Sequence, residues 1–292
     1  MSERTVEGVR LSNPNKVLYP EQGITKSDLA DHYVAVADWM LPHVAFRPIT
    51  MVRCPTGRQK NCFYQRHAGS GVPKQIEKVV ISGFDKPYLF IKDLAGLIAL
   101  VQIGVLEIHP WAVTTRHPDR PDRLTFDLDP AEGLGFAAVV AAAVEVRDRL
   151  DSLGLLSFVK TTGGKGLHVV VPFRPSLEWR EAKAWTKTFS EQMAADSPAL
   201  YLTKISKAER TGRIFIDYLR NDATATAIGP YSTRSRIGAP VATPLSWDEI
   251  GPKLDPSRFN ITTIPARLAE GFTDPWFEMP QIQQMLPPLR SS

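Results

Sequence analysis

Arg123-Leu-Thr-Phe-Asp-Leu-Asp-Pro130 is the stretch that decides the fold of this chain. Its apolar and polar residues alternate, which is the pattern of a half-buried β-strand. Side chains two positions apart in a strand point to the same face, so Asp127 and Asp129 are predicted to lie side by side. Adjacent carboxylates repel each other, and a divalent metal, a pair of basic side chains or solvent exposure would each relieve the repulsion. A lone D-x-D pattern does not decide among the three.

The composition is that of an ordinary globular protein with one large domain or two closely associated ones. The chain has 292 residues, of which 43% are hydrophobic and 23% charged, and its formal net charge is +4. That charge permits a polyanionic partner without requiring one. No apolar signal segment and no run of ~18 apolar residues is found, so neither a signal peptide nor a membrane partner is expected. Cys54 and Cys62 fit neither a zinc site nor a disulfide framework, and reduced cytosolic thiols are expected.

Strands and helices alternate along the rest of the chain, with some close strand–loop–strand pairs. Helices are predicted from Thr25 or Ser27 to Leu41, after Asp93, over 136–153 and over 177–195. Strands are predicted over 48–53, 155–160, 167–173 and 214–219, whereas residues 54–75 are polar and contain glycine. This mixture favours an α+β fold, with helices packed on a mixed sheet, over a doubly wound parallel fold.

Asp217 and a glycine-rich loop could complete a site for metal and phosphate. Ile214-Phe-Ile-Asp-Tyr-Leu219 alternates like a strand, and its aspartate would either face solvent or join the D-x-D pair. Three carboxylates are the usual ligands of two hard divalent ions that also bind phosphates. In Thr161-Thr-Gly-Gly-Lys-Gly-Leu-His168, the glycines would let backbone N–H groups approach an anion. The spacing is not that of a Walker A loop, so a simple tight turn is the alternative.

Two further segments carry a pattern that suits nucleic acid. Residues 204–236 hold seven Lys or Arg against three Asp or Glu. They form either a solvated face or a surface for triphosphate or nucleic-acid backbone. Phe63-Tyr-Gln-Arg-His67 places two aromatic residues before basic ones. The pair is either core beside surface or a base-stacking platform beside a cationic groove.

Together these segments resemble the polymerase domain of bacterial non-homologous end-joining DNA ligases of the ligase D type, in the archaeo-eukaryotic primase superfamily. The resemblance runs from residues 11–20 to residues 244–247. It is carried by F-D-L-D-P at 126–130, T-G-G-K-G-L-H at 162–168 and I-F-I-D-Y at 214–218, with E-I-H-P-W at 107–111 and P-Y-S-T-R at 230–234. Each motif alone is weak, but the ordered set is specific.

The resemblance implies a primase-polymerase fold. Its expected parts are a mixed, mainly antiparallel catalytic sheet with an RRM-like core, helices packed on that sheet, and a second, smaller N-terminal sheet region. A single domain is expected over residues 1–292. Its portions would be a DNA-end-binding part at about 1–110, a catalytic core at about 111–240 and a C-terminal packing tail at about 241–292.

The resemblance also assigns roles to individual residues. The implied catalytic and metal-binding residues are Asp127, Asp129 and Asp217. The implied nucleotide-binding residues are Arg53, His109, Thr162, Gly164, Lys165, His168 and Arg234. The implied DNA-binding residues are Asn13, Lys16 and Lys26, for a 5′-phosphate, and Phe63 and Tyr64, beside the template. Two departures from the family pattern are Thr162 in place of a common serine and the absence of a basic residue and glutamine in 221–227.

The implied function is template-directed nucleotidyl transfer that fills or extends DNA ends in double-strand-break repair by non-homologous end joining. Implied cofactors are two Mn²⁺ or Mg²⁺ ions, with Mn²⁺ preferred, and ribonucleotides are favoured over deoxyribonucleotides. Implied partners are 5′-phosphorylated DNA ends, NTP or dNTP, Ku, a ligase domain or separate ligase, and a second copy on synapsed ends. The implied location is the bacterial cytoplasm, at the nucleoid.

Two other functions compete with this one. A non-catalytic DNA-end-binding or synapsis module would need the same surfaces but no chemistry. A haloacid-dehalogenase-like phosphatase also begins its motif with D-x-D, but Ala131 stands where that motif needs a hydroxyl or β-branched residue.

Overall fold

The structure is a computed structural model that describes residues 3–69, 71–204, 207–269 and 271–289. Its α-helices are α1 (Lys26–Val44), α2 (Leu94–Gln102), α3 (Phe136–Ser152), α4 (Trp179–Asp196) and α5 (Ile264–Arg267). Its strands are β1 (Glu3–Val6), β2 (Val9–Ser12), β3 (Val17–Tyr19), β4 (Ile24–Thr25), β5 (Ile49–Arg53), β6 (Phe63–Gln65), β7 (Glu77–Val79), β8 (Tyr88–Phe90), β9 (Val105–Pro110), β10 (Arg123–Pro130), β11 (Phe158–Thr161), β12 (Leu167–Pro172), β13 (Tyr201–Leu202), β14 (Ile214–Asp217) and β15 (Pro244–Leu245). Among the described residues, no helix is both long enough and apolar enough to cross a membrane.

The chain divides into two compact units. Unit 1 comprises Met1–Arg116, Ile228–Thr243 and Ser257–Asp274, and unit 2 comprises His117–Ala227, Pro244–Pro256 and Pro275–Ser292. Each unit therefore uses segments from distant parts of the sequence. The expected single domain, with portions at about 1–110, 111–240 and 241–292, stays a prediction.

Unit 2 is built on a six-stranded sheet with the order β13-β14-β10-β12-β11-β15. Neighbouring strands are antiparallel except for the parallel pair β13 and β14. Apart from the two-residue strand β13 between α4 and β14, the succession β10-α3-β11-β12-α4-β14 is a βαββαβ unit, the arrangement of ferredoxin-like and RRM domains. The predicted α+β fold with a mixed, mainly antiparallel sheet and an RRM-like core is confirmed.

Alternation along β10 separates the core of unit 2 from its polar face. Leu124, Phe126 and Leu128 are fully buried and belong to one hydrophobic cluster with residues of α3 and α4. Because successive side chains point to opposite faces, Asp127 and Asp129 lie on the face away from those helices. A one-residue slip would bury the aspartates among apolar side chains, so the apolar residues fix the register of the polar ones.

Unit 1 contains a five-stranded sheet centred on β5, which pairs with β6, β8 and β9, while β7 pairs with β8. Hairpins β1–β2 and β3–β4 precede it. Thr25 and Asp28 form a capping box at the start of α1. The prediction that this helix ends at Leu41, before Pro42, was wrong, because α1 continues to Val44. Pro42 removes only one donor near the end of the helix, and the buried Val44 packs into the core.

Cys54 and Cys62 are joined by a disulfide, which corrects the expectation of reduced thiols. The antiparallel pairing of β5 with β6 sets Arg53 opposite Phe63. The cysteines follow and precede these two residues, so they face each other at the end of the hairpin. No strand was predicted within the polar residues 54–75, so β6 was not expected. Without that strand, nothing in the spacing of the cysteines brings them together.

Candidate active site

Four polar side chains form a cross-strand row on the polar face of the unit 2 sheet. Strand pairing sets Lys160 of β11 opposite His168 of β12, His168 opposite Asp127 of β10, and Asp127 opposite Asp217 of β14. Asp129 lies two residues beyond Asp127 on the same face of β10. The register of four strands thus brings the three predicted metal-binding aspartates together with His168. Lys160 joins them although its sequence context did not mark it.

Arg220 provides positive charge at the aspartates. Its Nε lies 3.0 Å from Asp127 Oδ2 and 3.3 Å from Asp217 Oδ2. His168 Nε2 lies 3.3 Å from the other oxygen of Asp127, Oδ1. Burial raises the pKa of Asp127, but His168 and Arg220 together hold it well below its usual range. Asp127 is therefore ionised despite being almost inaccessible to solvent.

The negative charges of Asp129 and Asp217 are offset less by nearby positive groups than that of Asp127. Burial and the charge of Asp127 raise the pKa of Asp129 to about 6. Burial also raises the pKa of Asp217, although Arg220 opposes this effect. The negative charge of the buried aspartates is therefore not fully offset by the nearby positive groups. This excess favours a bound cation.

The donor set fits a hard divalent ion such as Mg²⁺ or Mn²⁺, because it consists of carboxylate oxygens. Within the described ranges, no three His, Cys, Asp or Glu side chains are already gathered closely enough to hold a metal ion. Asp127, Asp129 and Asp217 are the residues that would hold such an ion, and Arg220 contacts one oxygen of Asp127 and one of Asp217. Ion binding is therefore expected to require a shift of the Arg220 side chain.

His168 and Lys160 form the other end of the cross-strand row. Both are buried. Burial and the positive charge of Lys160 lower the pKa of His168 to about 4. His168 is therefore a neutral imidazole at neutral pH, able to donate one hydrogen bond and accept another.

The glycine-rich loop joins β11 to β12 directly beside the aspartates. Thr162 closes it, because its backbone N–H and its hydroxyl both donate to Gly166 O, at 3.2 and 3.1 Å. A Cβ at Gly166 would lie 2.7 Å from Leu128 O and 3.6 Å from Asp129 Oδ1. Only glycine therefore allows this close approach to β10. Gly164 and the exposed Lys165 line a cavity of about 290 Å³ next to the loop.

Gly166→Ala is expected to lower the free energy of unfolding by about 1–3 kcal/mol, because the added methyl group meets the backbone of β10. Thermal or denaturant unfolding measures the loss. Gly251→Ala is the matched control in the same unit, because a Cβ there would meet nothing within 4 Å. Equal stability of the two variants would contradict the tight approach.

In unit 1, the predicted residues His109 and Arg234 meet at Glu107. His109 Nε2 and Arg234 Nε each lie 2.9 Å from Glu107 Oε2. The other oxygen, Oε1, accepts hydrogen bonds from Ser235 N at 2.8 Å and Ser235 Oγ at 2.6 Å. Burial raises the pKa of Glu107, but His109 and Arg234 lower it to about 2. Glu107 is thus a buried, ionised residue that contacts His109, Arg234 and Ser235. Its motif alone did not indicate this central position.

Arg53 lies with the aromatic hairpin of unit 1. Its Nε donates to Ile103 O at 3.0 Å, its Nη1 donates to Gln65 Oε1 at 2.7 Å, and its guanidinium lies 5.4 Å from the centre of the Phe63 ring. Phe63 and Tyr64 are 46% and 72% exposed. As neighbours in one strand, these aromatic side chains face opposite sides of the hairpin.

Asn13 and Lys16 lie in a turn of unit 1, and Lys26, the first residue of α1, is bonded to that turn. Lys16 N donates to Asn13 O, and Lys26 N donates to Lys16 O. Lys26 is only 6% exposed, and its ammonium group donates to Ser12 O at 2.9 Å and Gln102 O at 3.1 Å. Burial, with the nearby charge of Lys16, lowers the pKa of Lys26. Lys26 therefore braces the turn, whereas Asn13 is exposed and Lys16 is half-buried.

Arg220 and Glu107 were not predicted as site residues from the sequence, and the sequence patterns that could have indicated them differ. Arg220 counted only as one member of a basic segment, yet it stands three residues after Asp217 in a 3₁₀ helix, Tyr218–Asn221. That spacing could have indicated the ion pair if the helix had been predicted. Glu107 stands two residues before His109 in a strand. This spacing predicts that the two side chains share a face, but it does not predict the contact between Glu107 and Arg234.

Comparisons with known proteins cover most of the chain. A family model described as the LigD primase-polymerase domain matches residues 25–276. The chain is 33% identical over 98% of its length to the multifunctional non-homologous end joining protein LigD of Pseudomonas aeruginosa. It is 36% identical over 87% of its length to the protein of the same name from Mycolicibacterium smegmatis. It spans only about a third of these relatives, 34% of each.

A solved structure matches the fold closely. It is the polymerase domain of Mycobacterium tuberculosis ligase D in complex with DNA, with a TM-score of 0.87 and 31% sequence identity. The match covers 94% of this chain and 99% of that one. The similarity therefore extends over both of the units described above.

Proposed function

Because this chain belongs to the family of LigD primase-polymerase domains, we propose that it is a template-directed nucleotidyltransferase that fills or extends DNA ends in non-homologous end joining. The observation that carries the proposal is the convergence of Asp127, Asp129 and Asp217 on one sheet face, next to the glycine-rich loop. Excess negative charge at this position suits a metal-dependent reaction on phosphates.

The family implies a divalent metal, and we propose two Mn²⁺ or Mg²⁺ ions, with Mn²⁺ preferred, held by the three aspartates. Bound there, they would make a primer 3′-hydroxyl more acidic and offset charge on the triphosphate. The register of β10 and β14 holds Asp127 and Asp217 opposite each other before any ion arrives. Arg220 offsets their repulsion and must release their oxygens during loading.

The remaining predicted residues are proposed to bind the incoming nucleotide. In unit 2, Gly164 and Lys165 would meet the phosphates. The neutral His168 directs its Nε2–H to Asp127 Oδ1, so its Nδ1 would accept a hydrogen bond from the nucleotide. Thr162 shapes the loop through its three hydrogen bonds with Gly166. In unit 1, His109, Arg234 and Arg53 are the proposed ligands. NTP and dNTP are both proposed substrates, with NTP preferred.

DNA ends are proposed to bind through unit 1. Asn13 and Lys16, braced by Lys26, would hold a 5′-phosphate, and Phe63 and Tyr64 would stack beside the template. The relatives are about three times this length and are named multifunctional end-joining proteins. We therefore propose a ligase domain, in the same chain or separate, as a partner, together with Ku and a second copy at synapsed ends. The proposed location is the bacterial cytoplasm, at the nucleoid.

Primer extension tests this function most directly. Gapped, recessed and blunt DNA substrates are incubated with Mn²⁺ or Mg²⁺ and either NTP or dNTP, and added nucleotides are counted on a sequencing gel. Template-dependent addition is the expected result. Tight end binding without addition under every condition would instead support a non-catalytic end-binding or synapsis module.

Lys16→Ala is expected to weaken binding to recessed ends that carry a 5′-phosphate about 3–10-fold, because one charge-assisted contact to phosphate is lost. Binding to the same DNA without the phosphate should change little. Lys60→Ala, an exposed lysine of the same unit, is the matched control. Equal losses on phosphorylated and unphosphorylated ends would contradict a phosphate-specific role.

A further inference from the structure

Glu107 has a position that the proposed function does not explain. It is only 4% exposed, ionised, and shares one oxygen between two side chains from distant parts of the sequence. We infer that Glu107 is a positioning residue for the incoming nucleotide, because its Oε2 sets the orientation of both His109 and Arg234. This inference rests on the proposed function, in which those two residues bind the nucleotide.

The two oxygens of Glu107 have separate partners. Oε1 accepts from Ser235 N and Ser235 Oγ, whereas Oε2 lies 2.9 Å from both His109 Nε2 and Arg234 Nε. A carboxylate can only accept hydrogen bonds, so His109 must carry its proton on Nε2. The tautomer and ring orientation of His109 are therefore set by Glu107. The same oxygen forms an ion pair with the Arg234 guanidinium, 2.9 Å from its Nε.

Besides the bond from Ser235 N to Glu107, the backbone around Arg234 has anchors that do not involve the Glu107 side chain. Arg234 N donates to Pro240 O at 2.9 Å, and Tyr19 Oη donates to Arg234 O at 3.0 Å. One residue earlier, Thr233 Oγ1 donates to Leu106 O at 2.6 Å. These bonds fix the path of the segment independently. Altering the carboxylate should therefore disturb the orientation of side chains more than the fold.

The core of unit 1 does not need an acid at this position. The neighbours Leu106 and Ile108 point to the opposite face of β9, are fully buried and belong to the hydrophobic core. A buried ionic triad is seldom more stabilising than apolar residues of similar volume. An apolar residue at position 107 could not orient the polar side chains of His109 and Arg234, whereas Glu107 can.

Glu107→Gln is the sharpest probe, because it keeps the shape but replaces one charged oxygen with an NH₂ group. In either orientation of the amide, either Ser235 or the pair His109 and Arg234 loses its acceptor oxygen. The substitution also removes the negative charge beside Arg234. We expect the Kd for a fluorescent NTP analogue and the KM for NTP to rise about tenfold, with a smaller change in kcat. Binding of DNA ends should stay within about twofold. Glu21→Gln, which alters an ion pair with Arg58 in the same unit, is the matched control and should leave all these values unchanged.

A double-variant background separates positioning from a structural role. In His109→Ala/Arg234→Gln, the added Glu107→Gln should cause no further loss of nucleotide affinity, since its two targets are already absent. A further tenfold loss in that background would show a structural role and overturn the inference. If Glu107→Gln unfolds at the assay temperature, Glu107→Asp replaces it. That variant keeps the charge but is shorter by one methylene group, and it should also weaken NTP binding.

The same series distinguishes failure of the inference from failure of the proposed function. Unchanged NTP affinity in His109→Ala/Arg234→Gln would refute the assignment of these residues to the nucleotide, and with it the basis of the inference. A loss in that double variant, together with normal affinity in folded Glu107→Gln and Glu107→Asp, would refute the positioning role alone.

Discussion

Asp127→Asn is expected to reduce primer extension about 10³-fold or more while binding of DNA ends stays within about threefold. Asp127 is the aspartate in the middle of the cross-strand row, paired with His168 on one side and Asp217 on the other. The substitution keeps the size of the side chain but removes the charge that both a metal and Arg220 require. DNA binding is assigned to residues of unit 1, so it should persist.

A loss of stability is the main alternative cause of such a result. Removing the charge of Asp127 leaves Arg220 with fewer acceptors in a buried site, which is destabilising. Extension must therefore be measured well below the unfolding temperature of the variant. Asp151→Asn, on the exposed side of α3, is the matched control and should extend normally. Normal extension by folded Asp127→Asn would refute the assignment of the catalytic aspartates.

The sequence was most informative where alternation and burial act together. In 123–130, the apolar residues Leu124, Phe126 and Leu128 can only face the helices, and this leaves the aspartates on the other face. The same reasoning applies to β14, where Ile214 and Ile216 enter the core and Asp217 does not. The shared polar face of these two strands was therefore predictable, and their adjacency followed from the family resemblance.

Contacts between segments far apart in sequence were not predictable in the same way. Glu107 and Arg234 are separated by more than a hundred residues, and no local pattern reports that the two side chains meet. Lys26 carried a family role at a 5′-phosphate, but its ammonium group is already bonded to two carbonyl oxygens within unit 1. Local propensity does not register such long-range polar pairing, because it depends on tertiary packing.

Strand pairing explains the remaining error. The disulfide between Cys54 and Cys62 depends on the register of β5 with β6, and β6 is a strand of three residues whose two aromatic side chains are exposed. Such a strand has no buried face to impose an apolar alternation. No strand was therefore predicted here, and without the strand the pairing of the two cysteines could not be predicted either.

Asp129→Asn is expected to abolish extension and yet to stabilise the protein at neutral pH in the presence of EDTA. The pKa of Asp129 rises from its ordinary value of 3.8 to about 6 in the folded protein, because of burial and the charge of Asp127. Between these pH values the folded protein keeps a proton that the unfolded chain has released, so stability falls as pH rises through that window. Above pH ~6, the buried charge remains as a destabilising contribution, and asparagine removes it.

Denaturant unfolding in EDTA at several pH values checks this prediction. We expect Asp129→Asn to exceed the wild type by about 1–2 kcal/mol at pH 7.5 and to lose that advantage near pH 4, where the wild-type carboxyl is protonated. Mn²⁺ should raise the unfolding temperature of the wild type more than that of the variant, since an added cation offsets the same charge. Asp151→Asn should show neither effect. A pH-independent difference, or lower stability of Asp129→Asn at pH 7.5, would contradict the prediction. It would mean that repulsion among the aspartates does not destabilise the metal-free protein and so does not favour cation binding.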